Sequence, residues 1–384
     1  MTFLLAGVSV RALAQSAVRA GYPVVAADYF GDADLAGLVA GRSLLRHGQT
    51  PYDARGLPGL ARGLEYGALA YAANLENHPR VVRALAGGRP IAGNTPEVLA
   101  QARHWPTLRR VCAEEGLAMP PTLFAGEEAK ARNQIEWLRK PVKSGGGHGI
   151  GFWDGRPLAR GWYLQAWVAG VSASAVFAAN GRESVVLAVT EQVVGDPKLG
   201  AHDFRHCGNI EPLAPELGGG PALTEALADM AGRLTRRFGL RGVCGLDCIV
   251  AHEPDGSPRP MLLEINPRPT ASAELVEERR LASVFDVHVR AAAGNLPAPP
   301  ARPENAGYLA KGIAFARRPC RIPEDTAWRR PGLRDLGHPG DAIAPGRPIC
   351  SIVLPGATRR AALEGLHAAA RDLERHLAPK ENAS

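Results

Sequence analysis

The stretch LLEINPRPTAS, Leu262 to Ser272, constrains this chain more than any other. Apolar residues that read as a buried strand end in Glu264 and Asn266, set on alternate positions and followed by a proline. Side chains alternate along a strand, so the acid and the amide share one side and Ile265 turns away. Upstream, GLRGVCGLDCIVAHEPDGSPRP supplies a second apolar strand bearing Asp247 and a loop rich in Pro, Asp and Gly, the pattern of a hairpin. Asp247, Glu264 and Asn266 then converge on one face. An unpaired carboxylate in a buried strand costs several kcal/mol, of the order of the usual desolvation penalties, and a cation offsets that cost. Three hard oxygen donors suit Mg2+, which completes its octahedron with phosphates. The alternative is a surface hairpin whose acids are solvated or salt-bridged.

A phosphate site is written elsewhere in the chain. WLRKPVKSGGGHGIGFW brings Lys140 and Lys143 against Gly145, Gly146, Gly147 and Gly149. Closely spaced glycines free backbone N–H groups to face an anion, and lysines add charge. The run is neither G-K-[ST] nor G-x-G-x-x-G in any frame. A mobile surface loop is the plain alternative, and the strand-like flanks favour the phosphate. His148 within the loop reads as solvated. Gly7, in GVSVRA, lacks the spacing for a dinucleotide turn and reads as part of a structural layer.

With 384 residues, 46% of them hydrophobic, the chain exceeds one ordinary domain and holds material for two or three cores. From Met1 to about Asn94, FLLAGVSV, RALAQSAVRAGY and PVVAADYFGD give strand, helix and strand, the unit of a parallel sheet. Asp28 reads as capping the turn that follows. NTPEVLAQARHWPTLRRVCAEEG reads as a helix pair ended by Gly116. AAAGNLPAPPARPENAG reads as a connector, and beyond it come β-like runs, YLAKGIAFA and GRPICSIVLPG, and an amphipathic helix near 358–377. Lys311 reads as solvent-facing. The formal charge of +7 is scattered through helical stretches rather than gathered in a stripe, which argues against nucleic acid and suits anionic small molecules. MTFLLAGVSV is too short and wrongly flanked for a signal peptide or a membrane span. Six cysteines never form C-x-x-C, so neither zinc nor a disulfide framework is expected, and Cys244 and Cys248 read as core on one strand face. A cytoplasmic protein is the expectation.

Taken together, Lys140-Pro141, SGGGHGIG, YLQAWVAGVSAS, Asp247 and LEINPR resemble the ATP-grasp superfamily of carboxylate-amine ligases, over about Asn94 to Ala292. GYPVVAADYFGDAD, NLENHP, KGIAFA and GRPICSIV are similar to the group of predicted carboligases that includes tyramine-glutamate ligase. The resemblance implies an α/β fold, α+β in the catalytic lobes. A Rossmann-like pre-ATP-grasp domain is expected at 1–94, and a two-lobed ATP-grasp domain at 95–295 with its small lobe reaching about 165. A small β-rich C-terminal domain with a closing helix is expected at 296–384.

It also assigns roles. Lys140 matches the strand lysine on the nucleotide phosphates, and Gly145, Gly146, Gly147 and Gly149 match the loop that folds over them. Gln165, Ala166, Trp167 and Val168 match the linker whose backbone meets adenine, with Trp167 and Val168 flanking the ring. A plain buried strand with Trp167 as core is the other reading of that segment. Many relatives carry a ribose-binding acid where this chain has Ser172. Asp247, Glu264 and Asn266 match the magnesium ligands, and Arg268 matches a catalytic arginine near the transferred phosphate. Some ligases carry that arginine two residues before the first aspartate, where this chain has Gly245. ATP and Mg2+, with Mn2+ as a substitute, are the implied cofactors. The implied reaction activates a carboxylate as an acyl phosphate and joins it to an amine, glutamate or another amino acid in cofactor biosynthesis being one form. The rivals are a carboxylase of the same fold using bicarbonate and a non-catalytic nucleotide-binding protein. The partners implied are small molecules and, since dimers are common in the superfamily, a second copy of the chain.

Overall fold

Phe3–Ala6 is buried along its whole length and lies at the centre of a parallel sheet ordered Gly41–Ser43, Val24–Asp28, Phe3–Ala6, Ala68–Tyr71. Alternate residues feed two cores: Leu4, Ala6, Leu69 and Tyr71 pack on one face, and Phe3, Leu5, Ala68 and Ala70 on the other. A strand buried on both faces reads as a continuous apolar run, which is why FLLA does not alternate in polarity. Asp28 ends its strand as the sequence suggests: its Oδ1 accepts from Gly31 N at 2.8 Å. The computed structural model describes all residues except 49–50, 132–133, 281–282, 300–306, 326–327 and 378–384. Part of the expected connector, 300–306, therefore lies outside the described residues.

The helices Pro96–Ala102 and Trp105–Glu114 lead into a four-stranded antiparallel sheet ordered Thr122–Phe124, Trp162–Ala166, Trp137–Pro141, Gly151–Phe152. The glycine loop joins the last two strands in that order. The third sheet has eight antiparallel strands ordered Pro258–Asn266, Arg241–His252, Val171–Asn180, Ser184–Val194, His206–Glu211, Tyr308–Phe315, Pro348–Gly356, Leu333–Arg334. Strands from both sides of residue 296 thus share one sheet. The chain is of the mixed α/β class, with a parallel N-terminal sheet, antiparallel sheets in the middle and a β-rich C-terminal region.

Helix Pro221–Phe238 covers the first half of the large sheet. Leu223, Leu227, Met230, Ala231, Leu234 and Phe238 recur at helical spacing and meet Ala175, Phe177, Cys244, Leu246 and Cys248. Each large apolar side chain buried there contributes roughly 1.5–3 kcal/mol. Cys244 and Cys248 are core, and all six cysteines are free. Helix Arg359–Leu377 covers the other half through Ala362, Leu366, Ala370, Leu373 and Leu377. Among the described residues no helix is long and apolar enough to cross a membrane.

Buried polar groups join these layers. His288 accepts from Val243 N at Nδ1 (2.9 Å) and meets Ala92 O through Nε2 (2.8 Å), so both ring nitrogens are used by a neutral imidazole. Arg11 donates from Nε to Asp335 Oδ1 at 2.9 Å and from Nη2 to Glu274 Oε2 at 3.1 Å. Lys311 donates to the same Glu274 Oε2 at 2.6 Å and is only 6% exposed. The expectation of a solvent-facing Lys311 is therefore corrected. Its strand is internal to the sheet, and a carboxylate 37 residues away in sequence neutralises it there.

Candidate active site

The two antiparallel sheets face one another across a cleft of about 410 Å3. Lys140, Gly145, Gly146, Gly147, Gln165, Ala166, Trp167, Val168, Ser172, Asp247, Glu264, Asn266 and Arg268 all line it. Of the residues singled out for this site, Lys143 does not, nor does Gly149. Gly149 turns the loop at φ +77°, and a Cβ there would meet Pro141 Cγ at 3.2 Å.

The hairpin register places Asp247 opposite Glu264 and Gly245 opposite Asn266, with an irregularity just after Asp247. The amide of Asn266 donates from Nδ2 to Asp247 Oδ2 at 3.0 Å. Burial, then the charge of Glu264, pushes the Asp247 carboxyl above its ordinary range. Burial acts the same way on Glu264, but the Arg103 charge and hydrogen bond outweigh it and hold Glu264 below the usual value. Two adjacent carboxylates with one amide between them are short of positive charge on the Asp247 side, which is the setting a divalent cation fits. Among the described residues no group of three or more His, Cys, Asp or Glu side chains is placed to hold a metal, and the hairpin offers two carboxylates and the Asn266 amide. A Cβ on Gly245 would lie 2.5 Å from Thr270 Cγ2, so a larger residue there would require Thr270 to move.

Arg268 donates from Nη2 to Glu76 Oε1 at 2.9 Å and to Asn266 Oδ1 at 3.1 Å. Glu76 comes from the NLENHP segment, so the first sheet's neighbourhood holds the arginine over the cleft. Across the cleft, Lys140 Nζ donates to Gln165 Oε1 at 2.7 Å, and Gln165 Nε2 to Thr122 Oγ1 at 3.3 Å. Burial pushes Lys140 down to about 8, partly offset by the charges of Glu264 and Asp247. Trp167 is 43% exposed, so it is not core. The glycine loop reaches the large sheet: His206 N donates to Gly146 O at 3.1 Å. His148 is exposed, in keeping with a solvated reading.

Two roles were not visible in the sequence. Arg103, just past helix Pro96–Ala102, donates from Nη1 to Glu264 Oε2 at 2.8 Å and to Ile265 O at 2.9 Å, and from Nε to Asn77 Oδ1 at 3.2 Å. Nothing in ARHWP signals a partner 161 residues away. Gln165 was singled out for its backbone, whereas its buried side chain orients Lys140.

Comparison with known proteins is consistent with this geometry. Residues 105–272 match the family model described as an ATP-grasp domain. N5-carboxyaminoimidazole ribonucleotide synthetase from Thermus thermophilus superposes with a TM-score of 0.68 at 19% identity, over 100% of each chain. The biotin carboxylase domain dimer of Hydrogenobacter thermophilus 2-oxoglutarate carboxylase, solved with MgADP, ADP and bicarbonate, gives 0.72 at 14% identity, over 96% of this chain and 89% of that one. Biotin carboxylase from Campylobacter jejuni gives 0.70 at 13% identity, over 95% and 90%. At these identities the likeness is one of fold. No curated protein sequence matches the chain.

Proposed function

We propose that this chain, whose residues 105–272 match an ATP-grasp domain, is an ATP- and Mg2+-dependent, ADP-forming ligase that joins a carboxylate to an amine. The observation that carries the reading is the single cleft in which a glycine loop and a buried lysine face two carboxylates and an amide. Bound Mg2+ and ATP would supply the phosphoryl group that activates the carboxylate as an acyl phosphate, from which the amine displaces phosphate. Asp247, Glu264 and Asn266 would hold the metal, turning the Asn266 amide to present its oxygen, with Mn2+ as a substitute. Lys140, fixed by Gln165, and the N–H groups of Gly145, Gly146 and Gly147 would neutralise phosphate charge. Ala166, Trp167 and Val168 would flank the base, and Ser172 the ribose. Arg268, held by Glu76, would steady the charge that develops on the transferred group. Gly149 would act through the loop's shape. The loop, already in contact with His206, would keep water from an intermediate that hydrolyses readily.

In this reading 1–94 and 296–384 flank the catalytic unit at 95–295, the carboxylate is an amino acid such as glutamate, and the chain belongs to the carboligase group that includes tyramine-glutamate ligase. The Hydrogenobacter domain is a dimer, and a homodimer is part of the reading. The carboxylating enzymes among the structural neighbours favour a second reading in which bicarbonate is the acid. One experiment separates the two: incubate the purified chain with ATP, Mg2+ and panels of amino acids and amines, or with labelled bicarbonate, following ADP and product mass. ADP release with amide formation supports the ligase, and label incorporation supports the carboxylase. ADP release with neither refutes both.

A further inference from the structure

A second cavity, of about 230 Å3, opens off the first. Ala73, Arg268, Thr270 and Ala271 line both. Apolar groups such as Val8, Leu13 and Ile313 form part of its wall, and Arg19, Glu274, Glu277, Glu278, Lys311 and Asp335 bring charge of both signs to it.

The hydrogen-bonding capacity of these charged groups is unevenly used. Glu274 is held by Arg11 and Lys311, and Asp335 by Arg11. Glu277 takes Arg19 Nη1 at 3.0 Å on one oxygen and Val284 N at 2.8 Å on the other. Lys311 differs. Its ammonium carries three N–H donors, and Glu274 Oε2 is the one acceptor within hydrogen-bond distance among the described residues. Arg268 Nε, at the junction of the cavities, likewise has no acceptor there. These donors face the cavity, where water or an anionic ligand group can accept from them. Lys311 is also fixed in direction, because Glu274 is itself clamped by Arg11.

We propose that the second cavity seats the far end of the acid whose near carboxylate is activated in the first, and that Lys311 recognises a second anionic group on that acid. This inference rests on the ligase reading. The ligand class is a short acid with two anionic ends: one end meets Arg268 in the nucleotide cleft, methylene groups lie along the apolar wall, and the other end accepts from Lys311. A second carboxylate and a phosphonate share that acceptor chemistry, and the probes distinguish them.

The test is titration calorimetry on the full chain loaded with Mg2+ and a non-hydrolysable ATP analogue. The probes are the dicarboxylates from succinate to adipate, 4-phosphonobutyrate, and butyrate as the single-ended control. At least one double-ended probe is expected to bind about ten- to hundredfold tighter than butyrate, the range for a hydrogen bond to a charged group. Lys311→Met is expected to bring that probe to the level of butyrate while leaving the affinity for the ATP analogue unchanged. Since Lys311 is paired with Glu274, Ala12→Leu serves as a second variant. Ala12 is half-buried in the cavity wall, and the larger side chain narrows the space without removing a charge. It is expected to weaken the double-ended probe about tenfold at an unchanged unfolding midpoint. Double-ended probes no tighter than butyrate, or a preference that survives Lys311→Met, would overturn the proposal. Failure of the analogue itself to bind with Mg2+ would overturn the ligase reading instead.

Discussion

Two glycines of one loop, Gly145 and Gly147, should respond unequally to the same methyl group. Gly147 has φ +77°, and a Cβ on it would lie 1.8 Å from Phe204 O and 2.6 Å from Phe204 C. Alanine there incurs about 1–2 kcal/mol for left-handed backbone. It must also push the loop off the Phe204 carbonyl, and the adjacent hydrogen bond from His206 N to Gly146 O goes with it, a loss of about 0.5–1.5 kcal/mol. Together these give about 1.5–3.5 kcal/mol, or roughly 10- to 400-fold weaker binding of Mg-ADP by calorimetry. Gly145 has no positive φ and nothing within 4 Å of its Cβ position, so Gly145→Ala should stay within about threefold of the parent. Neither variant should move the urea midpoint, because positions 145 and 147 belong to none of the hydrophobic cores and the loop meets one only through Val142. Equal losses in the two variants, or a Gly147→Ala chain that binds like the parent, would refute the reasoning.

Three further outcomes are expected. Lys140→Ala should weaken nucleotide binding about ten- to hundredfold, the range for a lost charged hydrogen bond, and unchanged affinity would remove Lys140 from the site. Glu264→Ala should abolish substrate-dependent ADP release while circular dichroism stays that of the parent, and retained turnover would end the metal assignment. Burial lowers His288 from its usual value of 6.5 to about 4. A folded value below the unfolded one favours the neutral ring, so its contribution is complete above pH 6.5 and is lost as pH falls from 6.5 toward 4. The amount is about 3 kcal/mol. Urea unfolding at pH 7 and 4.5 should show this loss in the parent and a shallower one in His288→Gln, and parallel losses would contradict it.

Local patterns showed the fold and half of the site. FLLA and VVAAD announce a parallel sheet because strands buried on both faces leave no polar alternation, and LEIN announces the carboxylate face through strand period alone. Residues whose behaviour is set by a distant partner were not legible. Arg103 depends on Glu264, and Lys311 depends on Glu274 and Arg11, pairs that only the folded chain brings together. Gly149 shows a subtler ambiguity. A glycine in a phosphate-like loop can serve the turn rather than the guest, and only its position over Pro141 tells the two apart.

Because the strand Tyr308–Phe315 continues the sheet that begins at the hairpin bearing Asp247 and Glu264, the C-terminal region cannot be trimmed as an appendage. Deleting it would bare the outer side of His206–Glu211, where Gly208, Asn209, Ile210 and Glu211 now pair with their neighbours. An unpaired row of amides beside apolar Cys207 and Ile210 is a template for strand addition by another molecule, so a shortened chain would self-associate. The tail's strands thus act as a cover against aggregation for the lobe that carries the carboxylates.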